Sequence, residues 1–184
     1  MNEHMPATSR RANVGAARLG VDRLDLFALA LIALLSLAVD VLFARGRYLG
    51  YDEALHVFVS TLQPLTQFFA ELKMEAHPPL HYLVLRVVSP KGSALLWPRL
   101  ASIIPGIATV VFVFFCAREL RVARPIATRA TLAFALAPAN VNMAICVRAY
   151  GLATMFTMLA YLYYLKIVRD PAPATGAGSG FGRL

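Results

Sequence analysis

The chain has 184 residues, of which 59% are hydrophobic and only 15% are charged, and its mean hydropathy is +0.62. In a soluble domain about a quarter of the residues are charged. The composition therefore excludes a soluble globular domain with one buried core and indicates a polytopic membrane protein. The net charge of +8 does not indicate nucleic-acid binding, because the arginines flank apolar runs as they do in membrane proteins.

Residues 1–23 carry four arginines against two acidic residues, which is typical of a disordered basic segment on the cytoplasmic side of a membrane. The apolar run from Leu24 to Phe43 follows. Because roughly 20 apolar residues cross about 30 Å of hydrocarbon, we predict a first span there. A cleaved signal peptide is the alternative, but this apolar run is too long for one.

Residues 44–97 form the most polar long segment, in which we predict two helices lying along the membrane surface. Between Ala54 and Ala70 apolar residues recur at helical spacing on one face, and Pro64 should break or kink that helix. A second, short helix should begin at Pro78-Pro79, because proline suits the first helical turn. That helix is too short to cross the membrane, and counting it as a span is the main alternative topology.

The remaining apolar runs predict three further spans, so the expected fold class is an all-α membrane protein with about four spans. The three runs cover residues 98–117, 126–145 and 150–167, and Pro138 interrupts the middle one. Residues 170–184 are rich in Pro, Ala, Gly and Ser, a composition that predicts a disordered tail.

The distribution of basic residues favours the four-span topology. Arginines cluster between Arg118 and Arg129, and Lys166 and Arg169 close the last span. Cytoplasmic loops carry an excess of Lys and Arg, and four spans place both basic groups and the N-terminus inside. If the Pro79 helix were a span, the arginine cluster would lie outside. The same topology places these polar residues outside: Asp52, Glu53, His77 and Arg148.

Asp52 and Glu53 are adjacent carboxylates just past the first span. Acids at a membrane boundary cost free energy unless something pairs or uses them. One interpretation is a hydrated loop pair, or a cap for the helix that starts near Ala54. The other is chemistry at the outer face of a bilayer on a lipid-borne substrate. Asp40 lies near the outer end of the first span. Its side chain could face the cavity in which that chemistry takes place, or simply reach the membrane–water interface.

The histidines do not predict a metal site. His77 and His81 have the i, i+4 spacing of a two-histidine metal pair, but Pro78-Pro79 places His77 before the helix and no Glu lies inside the motif. His56 could join a site made of carboxylates and imidazoles, although nothing in the spacing demands it.

Arg148 is a cation between the third and fourth spans, on the side where short loops avoid positive charge. It could hold a phosphate by a bidentate contact, or simply contact lipid headgroups. The sequence contains no Walker loop, no dinucleotide fingerprint after a strand and no Ser-His-Asp arrangement, and it leaves no room for a cytoplasmic nucleotide-binding domain.

Four motifs together resemble the amino-terminal part of the GT-C membrane glycosyltransferases. They are Tyr-Asp-Glu-Ala (residues 51–54), His-Pro-Pro-Leu (77–80), Arg-Leu-x-Ser (99–102) and Arg-x-Tyr-x-Leu (148–152). The most similar branch contains the protein O-mannosyltransferases, the lipid A aminoarabinose transferases and the rhizobial lipopolysaccharide core transferases of the RgtA/B/C/D type. The resemblance covers residues 24–167, and the order of the two outer-loop motifs makes it fairly specific.

The resemblance implies a set of roles. Asp52 is the catalytic or substrate-orienting acid and Glu53 is its neighbouring acid. Arg148 and Tyr150 lie near the lipid phosphate. The segment that contains His77 belongs to a juxtamembrane helix, and His77 is expected to bind the substrate and could join Arg148 in stabilising the departing phosphate. The sugar donor would be a polyprenyl phosphate, and the acceptor a hydroxyl of a lipid, polysaccharide or protein. The resemblance does not decide whether a divalent cation is required, because some relatives use one and others do not.

We therefore expect a glycosyltransferase in a bacterial inner membrane, with its N-terminus in the cytoplasm and its active loop in the periplasm or outside. Family members have several hundred residues and more spans, so the resemblance implies a truncated gene, a frameshifted end or one part of a split protein. A partner chain would then carry the missing spans. The alternatives are a non-catalytic membrane subunit or remnant that scaffolds a partner, and a small transporter.

Overall fold

A computed structural model of the chain describes residues 22–75, 77–89 and 96–169, and every regular element within these ranges is an α-helix. This confirms the predicted all-α fold class. The helices, in chain order, are α1 (Arg23–Arg45), α2 (Tyr51–Thr61), α3 (Leu65–Leu72), α4 (Pro79–Val88), α5 (Leu96–Glu119), α6 (Arg124–Ala135), α7 (Pro138–Ile145) and α8 (Tyr150–Arg169). Within these ranges α1, α5 and α8 are long and apolar enough to cross a membrane. Most of the predicted basic segment (residues 1–23) and the whole predicted tail (residues 170–184) lie outside the described residues.

Helix α1 begins at Arg23, where the basic segment was predicted to end. The Asp22 carboxylate accepts a hydrogen bond from the Asp25 amide at 2.9 Å, and Asp25 accepts one from the Asp22 amide at 3.3 Å. This reciprocal capping box satisfies two amides that the first helical turn leaves without partners. Arg124 at the start of α6 ion-pairs with both carboxylates at 2.8 Å, so the N-terminus of α1 is fixed beside α6.

Helix α5 is the centre of the bundle and packs against α1, α4, α6, α7 and α8. Helix α8 runs parallel to α5: Gly151 contacts Ser102 near the start of α5, and Arg169 donates to Glu119 at the end of α5 at 2.8 Å. Helix α1 runs antiparallel to α5, because its first turn lies beside Arg124. The bundle therefore has two ends, the Arg124 end and the Tyr150 end.

Three packed layers trace the path of α6 and α7 along α5. Each layer contains one residue from α1, one from α5 and one from α6 or α7. The layers are Leu29, Phe114 and Ala127; Ile32, Val110 and Ala135; and Ala44, Ile103 and Ile145. Helices α6 and α7 together therefore return the chain along α5 from the Arg124 end to the Tyr150 end.

The predicted span 126–145 is divided into these two shorter helices. Pro138 is the first residue of α7, and its ring nitrogen has no hydrogen to donate to the carbonyl one turn earlier. Neither α6 nor α7 alone is long enough to cross a bilayer. The count of four spans therefore stays a prediction.

The predicted outer loop contains three helices instead of two, because the chain breaks at Pro64 between α2 and α3. Helices α2, α3 and α4 share a small core made of Val59, Phe68, Leu72 and Tyr82. Helix α4 begins at Pro79 as predicted and has 10 residues, or about 15 Å of length. Leu85 of α4 packs on Ala101 of α5, which attaches this three-helix layer to the Tyr150 end of the bundle.

Candidate active site

The first turn of α2 turns its two carboxylates in different directions. Glu53 is buried, and its Oε2 atom accepts a hydrogen bond from the Gly50 amide at 2.8 Å, as an acid in the third helical position commonly does. The Asp52 side chain is 59% exposed. Asp52 is therefore the carboxylate that a solute can reach, and Glu53 anchors the helix that carries it.

The segment between α7 and α8 brings Arg148 to Asp52. The two side chains form an ion pair. The Ser102 hydroxyl donates to the Arg148 carbonyl at 3.2 Å, which fixes the backbone at this point. The ring of Tyr150 lies 5.9 Å from the Arg148 guanidinium, within the range of a cation–π contact. Tyr150, and after it Asp52, raises the pKa of Arg148, so the side chain remains a cation.

A buried ion pair supports this exposed one. Arg99 is completely buried, and its Nη1 atom lies 3.7 Å from Glu53 Oε1. The same guanidinium donates to the carbonyls of Arg47 at 2.9 Å and Tyr48 at 3.2 Å, and also to that of Ile145. Glu53 Oε1 in turn accepts a hydrogen bond from the Val147 amide at 2.8 Å. The pair thus connects the ends of α1 and α7 to the start of α2.

Two cavities meet near this site. A polar cleft of about 240 Å³ is lined by Arg47, Gly50, Tyr51, Asp52, Glu53, Cys146 and Arg148. An apolar groove of about 730 Å³ is lined by Val39, Leu42, Phe43, Gly46, Arg47, Leu136, Pro138, Val141, Asn142 and Ile145. Arg47 belongs to both cavities, and it donates to the Asn142 side chain at 2.8 Å. The polar cleft therefore opens beside a groove between α1 and α7 that suits a hydrocarbon chain.

His77 lies apart from the polar cleft, in a group of imidazoles. Its ring centroid is 4.6 Å from that of His56, and the His56 ring is 5.4 Å from that of His81. Burial lowers the pKa of His56, and burial followed by the neighbouring imidazoles lowers the pKa of His81 to about 4. Both rings are therefore neutral at pH 7.

The structure brings together four of the five predicted site residues. Asp52, Glu53 and Arg148 line the polar cleft and Tyr150 contacts Arg148, whereas His77 packs against His56. Sequence reasoning missed Arg47 and Glu75, quoted Arg99 only as part of a motif, and named His56 only as a residue that could join a site made of carboxylates and imidazoles. Only Arg99 had a usable signal, because a charged residue inside an apolar span is expensive and normally has a partner.

The arrangement around the polar cleft combines two chemical capacities. An exposed carboxylate can accept a proton, and arginine guanidinium groups can bind a phosphate. No nucleotide or cofactor motif accompanies them. Comparison of the chain with protein-family models, with curated proteins and with solved structures found no match.

Proposed function

We propose that this chain is the donor-binding and base-carrying part of a membrane glycosyltransferase, which moves a sugar from a polyprenyl phosphate to a hydroxyl acceptor. The proposal rests on one observation: the polar cleft and the apolar groove adjoin, and Arg47 lines both of them. A polyprenyl phosphate has the matching shape, with a hydrocarbon tail for the groove and an anionic head for the cleft. The resemblance to GT-C transferases points to the same substrate class.

In the proposed reaction the acceptor oxygen attacks the anomeric carbon of the sugar while Asp52 takes the proton from that oxygen. The bond between the anomeric carbon and the phosphate oxygen breaks, and the electron pair leaves with the polyprenyl phosphate. Arg148 and Arg47 stabilise the charge that develops on the departing phosphate. The anomeric configuration is inverted. Glu53 acts as a positioning residue, because both of its oxygens accept backbone hydrogen bonds.

The proposal includes a membrane orientation with four crossings, in which α6 and α7 together form one crossing interrupted at Pro138. The Arg124 end of the bundle carries the arginine cluster and faces the cytoplasm by the positive-inside rule. The Tyr150 end carries Asp52 and Arg148 and faces the periplasm or the exterior of a bacterial inner membrane.

The first test is lipid binding by the purified chain in phosphatidylcholine nanodiscs, followed by native mass spectrometry. Undecaprenyl phosphate should bind, and undecaprenol, which lacks the phosphate, should bind at least about tenfold more weakly, since a hydrogen bond to a charged group contributes about 1.5–3 kcal/mol. Arg148→Gln and Arg47→Gln should each cause a similar loss. Arg129→Gln, an exposed arginine of α6, is the control and should bind normally. Equal binding of the two lipids would refute the site.

The second test separates binding from transfer. Asp52→Asn should retain undecaprenyl phosphate binding, because the variant still leaves Arg148 available to the phosphate. In membranes that contain the chain together with any partner it requires, the same variant should abolish transfer of labelled sugar from a polyprenyl-phosphate donor. Glu71→Gln, an exposed acid on α3, is the matched control. Normal transfer with Asp52→Asn would favour the alternative, a non-catalytic subunit that scaffolds a partner.

A further inference from the structure

Three side chains of metal-ligand type converge on the face of α2 behind the polar cleft. A nitrogen of His56, a carboxylate oxygen of Glu75 and a nitrogen of His77 all lie within 4.8 Å of one another. His56 comes from the middle of α2, and the other two come from the connection between α3 and α4. The break at Pro64 returns the chain to α2, so residues distant in sequence meet here.

The hydrogen bonds around this cluster orient the potential ligand atoms. His56 Nδ1 lies 3.2 Å from the carbonyl oxygen of Val147. Because a carbonyl only accepts, Nδ1 carries the hydrogen in the neutral ring, and Nε2 keeps its lone pair. Glu75 Oε2 accepts a hydrogen bond from the Tyr82 hydroxyl at 2.8 Å. Metal-binding histidines and carboxylates typically have such outer partners, which fix the ring and the carboxylate in place.

His77 supplies an independent observation. Its Nδ1 atom is buried and has no hydrogen-bond partner among the described residues. A buried polar atom without a partner costs about 1–3 kcal/mol, so a cluster that served only for packing would leave this cost uncompensated. A cation bound between the three side chains through His77 Nδ1 would give that atom a partner. His81 packs edge-on against His56, but it does not belong to the set of converging ligand atoms.

We propose that His56, Glu75 and His77 form a binding site for a zinc ion. Two imidazoles and one carboxylate are a donor set that Zn²⁺ accepts in proteins, and three protein ligands leave the fourth tetrahedral position open to water or another ligand. The ion would tie the connection between α3 and α4 to the helix that carries Asp52. The proposal goes beyond glycosyl transfer and does not depend on it.

The test is metal binding by the full chain in nanodiscs, purified with an affinity tag that contains no histidine. Co²⁺ is the spectroscopic probe, because in a tetrahedral site it absorbs in the visible range. We expect one equivalent of Co²⁺ per chain, displaced by one equivalent of Zn²⁺. Glu75→Gln and His77→Gln should each weaken binding at least about tenfold, because the loss of an outer partner of a metal ligand alone costs about 10–100-fold. Glu71→Gln is the matched control and should bind as the parent chain does.

Glu75→Gln keeps an oxygen that can accept from Tyr82, so the variant should fold, and circular dichroism verifies this. X-ray absorption on the zinc-loaded parent chain gives a readout that needs no variant. We expect imidazole scattering and a first shell of nitrogen and oxygen at about 2.0 Å. The proposal is overturned if the parent chain binds no Co²⁺, if the spectrum contains no imidazole, or if folded Glu75→Gln and His77→Gln bind Co²⁺ like the control.

Discussion

Glu53 and Arg99 form a buried ion pair directly beneath the exposed pair of Asp52 and Arg148. The distance from Glu53 Oε1 to Arg99 Nη1 is 3.7 Å, and the two side chains are 5% and 0% exposed. Glu53 is the chain neighbour of Asp52, and the Val147 amide that donates to Glu53 is the neighbour of Arg148. The inner pair therefore sets the position of both members of the outer pair.

This relationship predicts that loss of the inner pair costs much more stability than loss of the outer pair. Arg99→Met should destabilise the protein by about 3–5 kcal/mol, because it leaves the Glu53 carboxylate buried without a counter-charge. Asp52→Asn should change stability by at most about 1 kcal/mol, since exposed ion pairs contribute little. Thermal and denaturant unfolding of the purified variants in one detergent measures both. A loss of stability at Asp52 as large as that at Arg99 would contradict this division of roles.

The sequence contains enough information to predict where the helices of the outer loop break and start. Proline acts within a few residues of its own position, so Pro64 and Pro79 mark a break and a helix start without knowledge of the tertiary fold. Pro138 carries the same local information, and the interruption that it predicts within the run 126–145 is where α6 gives way to α7.

The partners inside the site could not be predicted in this way. Arg99 reaches three carbonyls and one carboxylate that come from three segments of the chain, and no spacing rule relates them. Likewise His56 meets His77 because α3 doubles back along α2, whereas the only histidine at a helical spacing from His77 in the sequence is His81. Contacts of this kind are determined by the packing of helices, which periodicity does not encode.

Gly151 permits the close approach of α8 to α5. A Cβ atom at this position would lie 2.9 Å from the Ser102 carbonyl oxygen and 3.3 Å from Ser102 Cα. Gly151→Ala should therefore destabilise the bundle by about 1–2 kcal/mol, because overpacking costs about 1–3 kcal/mol and the better helix propensity of alanine returns at most about 1 kcal/mol. Gly46→Ala is the control, since a Cβ atom there has nothing within 4 Å. Unfolding in detergent should separate the two variants; equal stability would contradict the close packing.

Asp40 is a buried acid in α1, and neither of its carboxylate oxygens has a hydrogen-bond partner among the described residues. Asp40→Leu replaces the carboxylate by an apolar group of the same shape, so we expect stability to rise by about 1–3 kcal/mol. Asp22→Leu, by contrast, should lower the melting temperature because it removes the cap of the same helix. Destabilisation by Asp40→Leu would instead show that the carboxylate has a partner, and would revive the transporter alternative.

The two native cysteines allow a test of the number of crossings. Cys146 is partly exposed at the Tyr150 end of the bundle, and Cys116 is buried within α5. In a Cys116→Ala background, a membrane-impermeant maleimide should label Cys146 in intact cells. In a chain without native cysteines, Arg121→Cys, an exposed position at the other end of α5, should react only after permeabilisation.

This labelling pattern distinguishes four crossings from three. If α6 and α7 did not cross the membrane, positions 121 and 146 would lie on the same side and would react together. Labelling of Cys146 alone from outside requires that the chain crosses between the two positions, which in this structure means along α6 and α7. Labelling of Arg121→Cys alone from outside would place Asp52 in the cytoplasm, where a transfer to an exterior acceptor could not occur. The opposite sidedness of these two positions is therefore a requirement of the proposed reaction as well as of the topology.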